Sequence, residues 1–310
     1  MTRKIVNCSR LLSFITSHYD MQITHTEIWK LSIPMHPFSI ATGTMHYAQN
    51  ISIRVHTSGG LYGVGECSAF PMIVGETQAT CFEVAKDFAA FWKGKDASQI
   101  EDRLQDLDIC IAFNRTIKSA FDMALYDLAA KSAGQPLYAF LGGNPKKMET
   151  DLTIGIDTPE KMAEQAVDYI RRGVRIIKIK LGKNALQDIE RVSMIRERVG
   201  PEILLRIDAN QGWSYDDAVT ALTGMGPYNI QFCEQPMRAW NDGCLPALKN
   251  ISPIPIMADE SVFDAHDAER LVQANACQYV NIKFAKSGGI HEAIKINNVC
   301  ENNNIPCMMG

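Results

Sequence analysis

The sequence predicts an α/β barrel of the (β/α)7β type behind an α+β capping domain, with the eighth barrel strand absent from the chain. Three observations predict it. From residue 148 onward, short apolar segments recur about every 25 residues, each followed by a polar turn and a helical stretch. Parallel strands need a crossover of about a dozen or more residues, usually a helix, and this spacing supplies it. Charged residues stand at the C-terminal ends of these segments, the face on which a β/α barrel carries its working groups. Before residue 148 the order differs: strands come first and helices follow, the pattern of an α+β layer.

Residues 1–20 carry early basic residues and a short apolar patch, Leu11 to Ile15, broken by Ser13. A secretory leader needs a longer apolar run and a small-residue cleavage site, so these residues are expected to be a disordered extension, with Met21 a possible true start. The capping domain is expected over 21–147. Ile51 to His56 alternates apolar and polar, Gly59-Gly60 supplies a turn, and Leu61 to Gly65 continues, which reads as a hairpin. Helical periodicity follows in Ala79 to Trp92 and in Thr116 to Ala133, where Ala120, Ala124, Leu125, Leu128 and Ala129 share one stripe before Gly134 stops the helix. The barrel domain is expected over 148–310, with strands at 151–156, 175–180, 204–208, 230–234, 254–259, 279–283 and 305–309. A closed barrel needs an eighth strand between the seventh and the first. The chain stops at Gly310, so an incomplete barrel with two unpaired strand edges is expected.

Composition narrows the function. The chain has 310 residues, 46% hydrophobic and 21% charged, with net charge −4. There is no basic excess to hold nucleic acid or an anionic membrane, so a small molecule is the expected partner. No apolar run approaches the roughly 18–20 residues of a membrane helix. Nine cysteines, an odd number without a Cys-x-x-Cys pair, fit free thiols in a reducing cytoplasm.

The strand ends carry the chemistry. The second ends Lys178-Ile179-Lys180, the third Asp208-Ala209-Asn210, the fourth Glu234-Gln235-Pro236, the fifth Asp259-Glu260-Ser261 and the sixth Asn281-Ile282-Lys283. Asp208, Glu234, Asp259 and Lys283 recur at spacings of 26, 25 and 24 residues. A lone Asp at a strand end is more often a helix cap or turn former, but that reading predicts no common register across four units. Three convergent carboxylates repel unless a cation neutralises them, and oxygen-only ligands select a hard ion such as Mg²⁺. Lys178 and Lys180 alternate onto one face of their strand, and Lys283 flanks the acids on the other side. Such a site suits moving a proton to and from opposite faces of one carbon next to a metal-bound carboxylate. Free lysine titrates near about 10.4, so a lysine base needs a neighbouring cation to favour its neutral form. Lys178 fits that tuning role or a substrate contact, Lys180 the base and Lys283 the acid. Lys286, near Gly288-Gly289, reads as structural or surface charge. His36, His46 and His56 read as core or surface histidines.

These motifs, KIK, DAN, EQP, ADES and NIK with KSGG behind it, resemble the muconate-lactonising branch of the enolase superfamily, whose lysine bases and Mg²⁺ are a general pattern. Ser119 to Gly143 resembles the helix closing that family's capping domain, and NIKFAKSGGI and IPCMMG look most like its dipeptide epimerases. The resemblance covers about Gln22 to Gly310. It implies metal binding by Asp208, Glu234 and Asp259, two-base chemistry by Lys180 and Lys283, and support from Lys178, Asn210 and Glu260. It implies inversion of the α-carbon of the second residue of a dipeptide, an X-Glu such as Ala-Glu being expected. Cap loops at 34–43 and 68–77 would close over the substrate, with Phe38, Phe70 and Ile73 shaping the pocket for its first residue and Thr153 touching it; ordinary packing explains the first three equally well, and an inert strand threonine the fourth. A cytoplasmic homo-oligomer is expected. The family's dipeptide epimerases carry an Asp-x-Asp element on the eighth strand that holds the substrate amino group, and this chain ends before it. Muconate cycloisomerase, o-succinylbenzoate synthase and N-acylamino acid racemase share the same lysines and acids, and a non-catalytic relative is the alternative outside enzymes.

Overall fold

A computed structural model describes residues 19–310, and the expectation for the leading extension falls almost wholly outside them. The chain forms two compact units. The first comprises 19–34, 47–147 and 282–299; the second comprises Met35–His46, Met148–Asn281 and Cys300–Gly310.

In the first unit, β1 (Ile23–Ile40), β2 (Gly43–Thr57) and β3 (Tyr62–Ala69) form an antiparallel sheet in that order, the last residues of β1 and the first of β2 belonging to the second unit. The hairpin expected around Gly59-Gly60 is present, with Ile51 opposite Cys67 and His56 opposite Tyr62. Helices α1 (Gln78–Trp92), α2 (Ile100–Cys110) and α3 (Arg115–Ser132) cover one face. Alternation puts Ile51, Ile53 and Val55 on that face, where they pack with Phe88, Trp92, Phe121 and Leu125. Phe121 meets Phe88 and Trp92 edge-on, with ring centroids 5.3 and 5.0 Å away, the geometry aromatic quadrupoles favour. The Ala120–Ala124 stripe of α3 lies directly against β3. A Cβ at Gly65 would overlap the Ala120 carbonyl and one at Gly63 the Ala124 carbonyl, so only glycine permits this approach.

The second unit holds a parallel sheet of seven strands, β4 (Leu152–Ile154), β5 (Ile176–Lys180), β6 (Leu204–Asp208), β7 (Ile230–Glu234), β8 (Ile256–Ala258), β9 (Tyr279–Ile282) and β10 (Cys307–Met309). They lie side by side in chain order, β4 at one edge and β10 at the other. Helices alternate with them: α4 (Pro159–Arg171), α5 (Ala185–Val199), α6 (Tyr215–Met225), α7 (Leu245–Ile251) and α8 (Ala265–Gln273); α9 (Ile290–Asn302) follows β9 in sequence, most of it belonging to the first unit. This is the (β/α)7β barrel architecture with its α+β cap, and among the described residues no eighth strand follows β10. Side-chain caps start several helices: Thr158 for α4, Asn184 for α5, Ser214 for α6 and Asp264 for α8 each accept a backbone N–H from the first turn. Strands β4, β8 and β10 are shorter than the apolar runs suggest, losing Gly155-Ile156, Ile254-Pro255 and Ile305-Pro306 among others.

Candidate metal centre and proton-transfer site

Register builds the site. Lys180 on β5 pairs with Asp208 on β6, and Asp208 with Glu234 on β7. Asp259 follows β8 directly. Asp208, Glu234 and Asp259 are fully buried, and each offers an oxygen within 4.8 Å of the others. At that distance and an effective dielectric of about 20, each pair of charges repels by about 3 kcal/mol or more. Such a cluster requires cations. Lys178 supplies one: its Nζ is 2.7 Å from Glu234 Oε2 and 3.0 Å from Asp208 Oδ2. Lys180 supplies a second, donating to Asp208 Oδ2 at 2.6 Å and Asn210 Oδ1 at 2.8 Å. Burial pulls the Lys178 ammonium toward neutrality, but Asp208, Glu234 and Asp259 outweigh it and hold Lys178 well above the ordinary lysine range. The three carboxylates thus favour the charged form of Lys178.

Neighbouring polar groups orient the acids, as outer residues do around metal ligands. Asn281 Nδ2 donates to Glu234 Oε1 at 2.9 Å. Asn210 donates its backbone N–H to Asp208 and its side-chain amide to Glu260 Oε1 at 3.1 Å. Gln235 Oε1 accepts the backbone N–H of Asp259 at 2.9 Å, and its Nε2 donates to Ser261 Oγ at 2.7 Å. Asn210, Gln211 and Gln235 all take positive φ, at 41°, 66° and 35°. Backbone strain of this kind collects at functional sites. A buried, oxygen-only triad with this support fits a hard divalent cation, which Asp208, Glu234 and Asp259 would hold.

The second unit thus brings together Lys178, Lys180, Asp208, Asn210, Glu234, Asp259 and Glu260. Thr153 pairs with Lys178 across the sheet, and its carbonyl accepts the Tyr169 hydroxyl at 3.1 Å. The hairpin tip 35–46 rests on the strand-end loops of the same unit: Ile156 donates its N–H to the Ser39 carbonyl at 3.0 Å, and Phe38 lies against Gly155. Lys283 follows β9 with extended backbone, φ −130° and ψ 127°, so alternation keeps it on the strand face of Asn281. Phe70 and Ile73 lie in the first unit, where the Phe70 carbonyl accepts the Ile73 N–H at the start of a short helical turn, Pro71–Val74. Lys286, expected to be structural or surface charge, is 1% exposed in the turn Phe284–Ser287, which excludes the surface alternative and fits the structural one. Sequence reasoning gave Asn281 and Gln235 no role. The signal for each was present, since Asn281 stands two residues before Lys283 and Gln235 directly follows Glu234.

Residues 23–142 match the model for the mandelate racemase / muconate lactonizing enzyme N-terminal domain, and residues 161–310 match the model for the enolase C-terminal domain-like family. The chain is 45% identical to a D-Ala-D/L-Ala epimerase of Cytophaga hutchinsonii, over 94% of this chain and 79% of that protein. It is 39% identical to an L-Ala-D/L-Glu epimerase of Clostridium acetobutylicum, over 94% of this chain and 82% of the other. Among solved structures it resembles the Cytophaga hutchinsonii dipeptide epimerase complexed with Mg and the dipeptide D-Ala-L-Val, with TM-score 0.93 and 45% identity over 94% of this chain and 79% of that one. On these matches, the chain belongs to the mandelate racemase / muconate lactonizing enzyme family of the enolase superfamily.

Proposed function

We propose that the chain is a Mg²⁺-dependent dipeptide epimerase, inverting the α-carbon of the second residue of a dipeptide by two-base proton transfer. The observation that carries this reading is the buried cluster in which Lys180 lies 2.6 Å from an acid of a three-carboxylate site. When bound, Mg²⁺ supplies charge stabilisation to the substrate carboxylate as its α-proton leaves. Lys180 removes that proton from one face and Lys283 delivers one to the other. Lys178 attracts the substrate carboxylate. Asn210 orients the Lys180 amine, and Glu260 orients Asn210. Phe38, Phe70 and Ile73 shape the pocket for the first residue of the dipeptide, and Thr153 contacts it.

The second residue of the dipeptide is, on this reading, small and uncharged. The 45%-identical relative is a D-Ala-D/L-Ala epimerase. An X-Glu substrate is the second reading, favoured by the L-Ala-D/L-Glu epimerase at 39% identity. The test is proton NMR in D₂O with Mg²⁺ and a panel of Ala-Ala, Ala-Val and Ala-Glu diastereomers. Loss of the α-proton signal with appearance of the other diastereomer supports the reading, and the fastest member names the substrate. A folded, Mg²⁺-loaded sample that exchanges no α-proton in any member overturns it.

A further inference from the structure

We infer that Asp188, with Arg191 and Trp213, forms a buckle that positions the working ends of three consecutive barrel strands, so that Asp188 is a positioning residue for the metal-ligating acid and the base. This rests on the metal-site reading above. Asp188 is in the first turn of α5, fully buried, and no sequence motif singled it out. Its Oδ2 accepts two donors at 2.9 Å: the backbone N–H of Gly182 and the indole Nε1–H of Trp213. Its Oδ1 accepts Arg191 at 2.7 Å, and Arg191 Nε donates to the Asp157 carbonyl at 2.9 Å. Gly182 lies two residues after Lys180. Trp213 lies five residues after Asp208. Asp157 lies four residues after Thr153. One carboxylate therefore ties the loops following β4, β5 and β6.

The loops leave no slack for adjustment. Gly182 has φ +104°, and a Cβ there would overlap the Ala209 carbonyl; one at Gly212 would overlap the Gly182 carbonyl. The intervening Leu181 N–H donates to the Asp208 carbonyl at 2.9 Å. A shift of Gly182 is thus passed directly to Asp208, the residue that joins Lys180 to the triad. A buried carboxylate–guanidinium pair is a poor device for stability alone, because apolar residues of similar volume often serve as well. Its place under these loop ends gives it a different use: it fixes their geometry.

Asp188→Asn tests this. An amide offers one acceptor oxygen where the donors need two, so either Arg191 or the Gly182–Trp213 pair faces an N–H. Mg²⁺ affinity by titration calorimetry is expected to weaken about tenfold, the low end of what losing a direct partner of a metal ligand costs, because Asp188 acts on Asp208 through Gly182 and Leu181. kcat falls with the dipeptide KM within about twofold, because Asp188 touches no substrate. Trp213→Phe keeps the ring and deletes one donor, so a smaller loss in both quantities is expected, and it carries the test if Asp188→Asn does not fold. Folded variants that bind Mg²⁺ as the wild type does overturn the inference. If the wild type epimerises nothing yet Asp188→Asn still loses Mg²⁺ affinity, the epimerase reading fails and the positioning role stands.

Discussion

Replacing Lys178 with methionine keeps most of the side chain's volume and removes the cation from the acid cluster. Lys178 Nζ is 2.7 Å from Glu234 and 3.0 Å from Asp208. At an effective dielectric of about 20, each contact carries about 5–6 kcal/mol of gross attraction. Desolvating the ammonium offsets much of that, and removing one partner of a buried pair costs about 3–5 kcal/mol because the other charge stays buried and uncompensated. At about 2–4 °C per kcal/mol, metal-chelated Lys178→Met is expected to melt about 10 °C below the chelated wild type. Mg²⁺ neutralises the same carboxylates, so it should raise the variant's melting temperature by more than the wild type's. The assay is a thermal melt of both proteins in EDTA and in excess Mg²⁺. Equal melting temperatures in EDTA, or equal increments from Mg²⁺, refute the reasoning that Lys178 neutralises the triad.

Further outcomes follow from the same geometry. Lys178 titrates above its unfolded value, so its stabilising contribution is present below about pH 10.4 and lost as pH rises through the folded value; the gap between chelated wild type and Lys178→Met should hold from pH 7 to 10 and narrow above that. Asp122 is buried where its carboxylate accepts the backbone N–H groups of Ile290 and His291 at the start of α9, and burial pushes its carboxyl up to about 7. Its folded value exceeds its unfolded one, so its ionisation costs stability as pH rises from about 4 to 7, by up to about 4 kcal/mol; urea titrations should show Asp122→Asn with a flatter stability profile than wild type over that range. Gly65→Ala drives a methyl into the Ala120 carbonyl, and is expected to destabilise by about 3 kcal/mol or more in the same titration, as an overpacked core position does. Asp208→Asn removes a charge from the triad and should abolish measurable Mg²⁺ binding by calorimetry at millimolar metal.

Most of the barrel was legible because its signal repeats. Asp208, Glu234, Asp259 and Lys283 stand at the same point of four consecutive units, and strand alternation puts Lys178 and Lys180 on one face without knowledge of any contact. The three acids follow from the same register, which is why Asp208, Glu234 and Asp259 were readable as a group although none is informative alone. What escaped was set by tertiary packing. Helix α2 (Ile100–Cys110) has polar residues through most of its length and only Ile100 and Leu107 fully buried, so its apolar period was too thin to find. The length of β1 was hidden because its middle, from Trp29 to Met35, is largely exposed and shows no burial alternation. Lys286 was left between structural and surface charge because a lysine beside two glycines also reads as a surface loop, and the helical turn Phe284–Ser287 buries it. Asp188 gave no sign because a carboxylate in the first turn of a helix has an ordinary capping explanation; only the contacts with Gly182 and Trp213 reveal that it faces the loops.

The central claim is that two lysines serve opposite faces of one α-carbon, and the direct measurement is α-proton exchange in D₂O by Lys180→Ala and Lys283→Ala on each diastereomer of the best dipeptide. The account predicts that both variants lose inversion, and that each still exchanges the α-proton of only one diastereomer, a different one for each variant. Exchange surviving on the same diastereomer in both variants, or inversion persisting in either, contradicts it.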